Sequence, residues 1–368
     1  MRKYIYLFPV LVLCLVACTK KKQPVCVIDG NLVNATEGQM VYFQRFAEEG
    51  YVNIDSCKVN EKGHFCFKLD SVESVVRFVG YERNGESYHE VLFPEKGEIF
   101  VELNENGSVV KGSPENDKYT DFNGEIIGIM HVMNDIEKQL TTNTTLTEEE
   151  KTSLYTDYDR VEEEVNERIH SYIIENIQTP SGVCVLRRNR WRFEADEVAN
   201  LMSAIPNYFD YYGIVEIKNY VENFKKSAVG CDFIDVVMQT PEGVTMAISE
   251  VMRDNKIVLI DFWASWCGPC RREMPHLVSL YEKYHAKGFQ ILGISIDEDL
   301  NAWKEAIQKL HITWPQISAL SGWKCEAVDR YAVMAVPAFF LIDVETGKIV
   351  ARDIMGDELD QKLAELLK

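Results

Sequence analysis

At 368 residues and a formal net charge of −19, the chain is too long for one ordinary core and suits two or three domains. Its 58 acidic against 39 basic residues argue against a nucleic-acid binder, which needs a basic surface to displace counterions. A hydrophobic content of 46% with 26% charged residues likewise argues against a largely disordered chain.

Arg2 and Lys3 precede an apolar run from Leu7 to Ala17, interrupted only by Pro9. As a helix this run spans about 16 Å, well short of the ~30 Å hydrocarbon layer, so it reads as a secretory h-region rather than a membrane span. It ends Leu15-Val16-Ala17-Cys18, which resembles a bacterial lipobox. That resemblance implies removal of residues 1–17 and acylation of Cys18, with several acyl chains holding the protein on a membrane. The competing reading is a secreted protein cut elsewhere. Residues 18–24, with Lys20, Lys21 and Lys22, then form a solvated tether. The expected location is the cell envelope, lipid-anchored and facing the periplasm.

From 25 to 112 the pattern is mostly period-two with frequent turn residues, which predicts a β-rich N-terminal domain. The turn Asn60-Glu61-Lys62-Gly63 predicts a hairpin with Gly63 in the left-handed position and a bulge beside it. In that register Val59 faces Phe65 and Cys57 faces Phe67, whereas His64, Cys66 and Lys68 point away. Cys57 and Cys66 are therefore expected to be unbonded.

Residues 113–227 change to a helical period. Phe122, Ile126, Ile129, Met130 and Met133 mark one helix; Leu154, Tyr158, Val161, Val165, Ile169, Tyr172 and Ile173 mark a second. Thr147 ahead of three glutamates predicts an N-cap, and Thr179-Pro180-Ser181-Gly182 a break. The cluster Arg187-Arg188-Asn189-Arg190-Trp191-Arg192 is expected to pair with the protein's own acids rather than bind an anion.

Residues 228–368 carry the chemistry. Lys256 to Trp263 is a nearly continuous apolar, β-branched run, as expected of a strand buried on both faces. It leads through Ala264-Ser265-Trp266 into Cys267-Gly268-Pro269-Cys270 and a helical pattern to Tyr284. A second buried strand spans Phe289 to Ile296, followed by a helix near Asn301 to Leu310. Strands Ala338 to Asp343 and Ile349 to Arg352 and a helix from Asp357 to Leu367 complete an α/β module with a mixed sheet.

A C-x-x-C pair at a helix start sets the first sulfur over unpaired backbone N–H groups and the positive end of the helix dipole. The thiolate is stabilised there, so Cys267 is expected to be an exposed nucleophile and Cys270 its resolving partner. Pro269 suits the first helical turn. Zinc would need two more ligands at suitable spacing, and His276, His285 and His311 do not supply it, so neither metal nor cofactor is expected. Of the remaining cysteines, Cys325 reads as a bystander.

The strand ending Asp261-Phe262-Trp263-Ala264, the motif Trp266 to Cys270 and Val336-Pro337 ahead of a later strand resemble the thioredoxin superfamily, specifically its TlpA/ResA-type thiol–disulfide oxidoreductases. The resemblance implies a thioredoxin-like fold and a redox-active disulfide between Cys267 and Cys270. It implies proton transfer by buried Asp261 behind Cys270, an acid typical of the group at Glu273, and a bent active-site helix at Pro275. It also implies a cis bond before Pro337, with Trp266, Gly268, Pro269, Val336 and Pro337 lining the substrate site. Implied partners are disulfide-bonded envelope proteins, apocytochrome c among them, and a membrane electron donor. The N-terminal domain resembles a module of unassigned function that precedes such domains in envelope lipoproteins. Two alternatives are an AhpC/TSA-type peroxidase and a client-binding lipoprotein. The first requires Pro-x-x-x-Thr-x-x-Cys, and the residues before Cys267 do not match it.

Overall fold

The computed structural model describes residues 24–143, 145–207 and 209–368, so the expected signal segment and Cys18 lie outside the described residues. Two compact units emerge, one from residues up to Arg45 with Tyr51–Asp121, the other from Phe46–Gly50 with Phe122–Lys368.

The first unit is built from β1 (Cys26–Leu32), β2 (Met40–Ala47), β3 (Gly50–Lys58), β4 (His64–Leu69), β5 (Arg77–Arg83), β6 (Glu86–Leu92), β7 (Gly97–Leu103) and β8 (Val109–Lys111). They form two four-stranded sheets in the orders β4-β1-β7-β8 and β3-β2-β5-β6. Alternation decides which face is buried: Cys26, Ile28 and Leu32 of β1 and Ile99, Val101 and Leu103 of β7 share one core with Phe43, Phe65 and Phe67. The turn after β3 closes as its sequence requires, but the expected hairpin does not form: the chain changes sheets here, β3 pairing in one sheet and β4 with β1 in the other, so Phe67 stands opposite Ile28 and Phe65 opposite Gly30 rather than Cys57 and Val59. Gly63 N–H donates to the Asn60 carbonyl at 2.9 Å with Gly63 at φ +80°, and Asn60 N–H donates to the His64 carbonyl at 3.1 Å. Val59, Phe65 and Phe67 are buried, His64 and Lys68 exposed, and Cys57 and Cys66 are free thiols.

Among the described residues five α-helices precede the C-terminal module: α1 (Pro114–Thr142), α2 (Glu148–Asn176), α3 (Pro180–Asn189), α4 (Ala195–Ser203) and α5 (Gly213–Lys226). Thr147 starts α2 with a capping box, its side chain taking the Glu150 N–H while the Glu150 carboxylate takes that of Thr147. The apolar stripe of α2 is buried from Val161 to Ile173 as its spacing predicts. On α1 the residues Asn116, Tyr119, Ile126 and Ile136 are buried, whereas Met130 is 45% exposed, contrary to expectation.

The remaining elements are β9 (Val237–Gln239), β10 (Thr245–Ala247), α6 (Ile248–Met252), β11 (Ile257–Trp263), α7 (Gly268–Tyr284), β12 (Phe289–Ser295), α8 (Leu300–Lys309), β13 (Gln316–Ser318), α9 (Glu326–Arg330), β14 (Ala338–Asp343), β15 (Lys348–Arg352) and α10 (Gly356–Leu366). The sheet order is β10-β9-β13-β12-β11-β14-β15. β11 lies centrally, parallel to β12 and antiparallel to β14, and every residue of it is buried. The loop that follows β11 therefore leaves a rigid, fully covered strand, and its direction is fixed before the cysteines are reached. Among the described residues no helix is long and apolar enough to cross a membrane.

Candidate active site

β11 ends in Trp263, whose indole N–H is held by the Gln316 side-chain oxygen at 2.9 Å. Two residues on, Ser265 is clamped by Asp297, just beyond β12. The buried Asp297 carboxylate accepts the Ser265 N–H at 3.0 Å, the Ser265 hydroxyl, and the Ser295 hydroxyl at 2.7 Å. This tie sets the path of the chain just before Cys267. Asp297→Ala leaves three donors without their acceptor, two of them on the loop. It is expected to cost about 2–4 kcal/mol of stability. An unchanged midpoint in urea unfolding would contradict the clamp.

Cys267 is the N-cap of α7, and its Sγ takes the N–H of Cys270 at 3.1 Å. The dipole therefore points at the first sulfur, as the motif predicts. Pro269 occupies the first turn, where its missing N–H costs nothing, and Pro275 lies inside the helix. Cys267 and Cys270 are joined as a disulfide with Cα atoms 5.3 Å apart.

The expectation of an exposed Cys267 is not met, since the residue is only 4% accessible. Its sulfur is turned onto Cys270, and the Val336 carbonyl oxygen stands 3.4 Å from it. In the reduced protein that carbonyl is placed to accept the thiol proton. The Val336–Pro337 peptide is cis, so the segment before β14 turns its backbone toward the dithiol. Trp266 is 58% exposed, an aromatic face left open beside the sulfurs. On the other side of the motif, Glu137 of α1 reaches Arg272 of α7 at 3.4 Å. Its carboxylate oxygen stands 2.7 Å from where a Gly268 Cβ would lie, so α1 comes up against the motif's glycine.

Asp261 is fully buried in β11, and neither carboxylate oxygen has a hydrogen-bond partner among the described residues. Burial, with a smaller contribution from the Glu273 charge, pushes its carboxyl up to about 8. A buried acid in that range is protonated at neutral pH and deprotonates just above it. Glu273 itself is half-buried and accepts the Gly356 N–H at 3.2 Å, tying α7 to the start of α10. It thus holds structure and adds negative potential behind the dithiol.

Cys325 is buried, with its sulfur 3.6 Å from that of Met238, away from the pair. Arg187 of the basic cluster pairs with Glu216, whereas Arg192 donates to the Asn166 side chain and Arg190 to the Arg187 carbonyl. Arg187 thus meets a carboxylate, as expected of the cluster. Among the described residues no group of histidines, cysteines and carboxylates is placed to hold a metal.

Fold and site together define a thioredoxin-like dithiol protein, and the thioredoxin-like family model matches residues 255–349. The thiol-disulfide oxidoreductase ResA of Bacillus cereus (strain ATCC 10987 / NRS 248) is 28% identical over 183 residues, covering 50% of this chain and 98% of that protein. ResA of Geobacillus thermodenitrificans (strain NG80-2) is 30% identical over 142 residues, covering 38% of this chain and 78% of that protein. A solved thiol-disulfide oxidoreductase from Bacteroides fragilis NCTC 9343 shares 36% identity, over 37% of this chain and 99% of that one, with a TM-score of 0.35. The chain belongs to the ResA family of thiol-disulfide oxidoreductases. Its N-terminal part matches a domain of unknown function, DUF4369, over residues 26–119.

Proposed function

We propose that this oxidoreductase works as a reductase of the cell envelope, anchored through Cys18, that reduces disulfides of envelope proteins by way of Cys267 and Cys270. The carrying observation is the position of Cys267, with its sulfur on the Cys270 N–H at the α7 N-cap and 3.4 Å from the Val336 carbonyl. In the reduced protein the Cys267 thiolate attacks one sulfur of a substrate disulfide. A Cys267–substrate disulfide forms, and the other substrate sulfur leaves as a thiolate that takes up a proton.

Cys270 then loses its proton to ionised Asp261 and attacks the Cys267 sulfur, expelling the second substrate thiolate. The products are the Cys267–Cys270 disulfide and a substrate dithiol, and two electrons have passed from protein to substrate. A membrane dithiol protein must return them, because the envelope lies outside the cytosolic reductant pool. The haem-attachment thiols of c-type apocytochromes are one substrate class that suits such chemistry. Gly268-Pro269 between the sulfurs favours a reducing role, as in thioredoxins.

Insulin provides a direct test. The reduced protein is expected to precipitate the insulin B chain in the presence of a dithiol donor, while hydrogen peroxide is consumed no faster than by a free thiol. Rapid peroxide consumption without insulin reduction would favour the peroxidase alternative instead.

A further inference from the structure

The second unit contains a cavity of about 320 Å³ that the chemistry above does not use. One wall comes from the helical region, through Tyr212 and Tyr220, the other from Trp323 and Met334 of the thioredoxin-like domain, and a polar edge that includes Arg190, Glu216, Asn219 and Asp329 runs along it. Its size lies at the small end of the ~300–1,000 Å³ range of ligand clefts, enough for one large side chain.

Met334 is two residues from Val336, whose carbonyl oxygen is 3.4 Å from the Cys267 sulfur. At no more than ~3.6 Å per residue the cavity wall comes within roughly 13 Å of the reacting atom, a distance an extended peptide covers in about four residues. The wall is also firmly built. Ser227, which follows α5, donates its hydroxyl to the Tyr331 carbonyl at 3.0 Å, and the Asn223 side chain of α5 donates to the Asp329 carbonyl at 3.0 Å. Arg352 reaches the Ala332 carbonyl at 3.4 Å, and Ala332 is held at φ +53°, a conformation alanine rarely adopts. At the cavity, Trp323 remains 46% exposed, a large aromatic surface without full cover.

We propose that the helical region builds a substrate subsite here, which takes a bulky apolar or aromatic side chain two to four residues from the reactive cysteine of a polypeptide disulfide. The inference rests on the dithiol reading above and extends it to substrate choice. The rings of Tyr212, Tyr220 and Trp323 supply the apolar contact, the polar edge suits the peptide groups that flank such a side chain, and the braced segment before Pro337 keeps the cavity in register with the sulfur. The Arg190 guanidinium, 5.3 Å from the Tyr220 ring centre, adds a cationic edge suited to an aromatic ring or a peptide carbonyl.

The test uses the full reduced protein and two disulfide-looped peptides that differ only in tryptophan or glycine at those positions. Peptide reduction is followed by chromatography. Reduction of the tryptophan peptide is expected to be ~10-fold faster, within the range one hydrophobic pocket contact provides, and Trp323→Ala and Tyr212→Ala are each expected to abolish that preference. Equal rates with both peptides, or a preference that persists in both variants, would overturn the subsite and leave the dithiol chemistry standing. Reduction of neither peptide would overturn the dithiol reading, and the subsite with it.

Discussion

Cys270→Ser is expected to turn the protein into a trap that holds substrate through a stable Cys267 mixed disulfide. The variant keeps the sulfur at the α7 N-cap and removes the neighbour that would expel the captured thiol. Turnover should fall on the order of a thousandfold, as in other enzymes that lose one member of a group acting as a unit. A covalent adduct should meanwhile accumulate to one per protein. Cys267→Ser should lose turnover to the same extent and form no adduct, because the sulfur at the α7 N-cap is gone and Cys270 lies inside the first turn of the helix. Non-reducing electrophoresis and mass spectrometry after mixing with oxidised insulin distinguish the two variants. Adducts on Cys267→Ser but not on Cys270→Ser would reverse the assigned roles.

Asp261→Asn is expected to stabilise the fold while slowing release of substrate. The sign follows from where the proton sits. Burial holds the folded carboxyl at about 8, against roughly 3.9 in the unfolded chain. Between those values the unfolded carboxyl is ionised and the buried one is still protonated. The folded state therefore binds more protons there, and wild-type stability declines as pH rises through that window. At pH 7 the penalty is on the order of 4 kcal/mol, and it is fully developed only above the folded value. The amide carries no such penalty, so the gap between variant and wild type should open steadily from pH 4 to pH 8 in urea unfolding. Parallel stability curves across that range would refute a buried carboxyl with a raised pKa. The rate of mixed-disulfide resolution should also drop by ~10²-fold and lose its inflection near pH 8, the size expected when a positioned proton acceptor is removed.

Much of the site was legible because its parts are local. Cys267, Cys270 and Pro269 sit within one helical turn, and Asp261 stands out as the single acid in a strand that is otherwise apolar. Val336-Pro337 was recognisable through resemblance, although nothing in an X-Pro pair reveals a cis bond. What escaped depended on distant partners. The three-residue strands β9, β10 and β13 are too short to show a period and exist because the sheet edge offers them pairing. Asp297 reads in sequence as one acid in an acidic loop, and only the fold brings it against Ser265 and Ser295. A signal was nevertheless present, since Ser295-Ile296-Asp297 follows directly on a buried apolar strand, where a lone carboxylate needs donors. The cover on Cys267 was equally hidden, because the Val336 carbonyl arrives from a segment some seventy residues away. The helical region gave its main stripes correctly on α2, but its cavity wall is assembled from Arg190 just after α3, from Tyr212 and α5, from Trp323 ahead of α9 and from the segment between α9 and β14, which no single period encodes.

The central claim is that Cys267 and Cys270 form a reversible couple poised to donate electrons. Equilibrating the purified protein in buffers of reduced and oxidised dithiothreitol or glutathione, with acid quenching and thiol labelling, measures it directly. The expected result is a two-electron transition on the reducing side, near the ~−270 mV of thioredoxin. A midpoint close to the ~−120 mV of DsbA, or a pair that once reduced does not rejoin, would contradict the account.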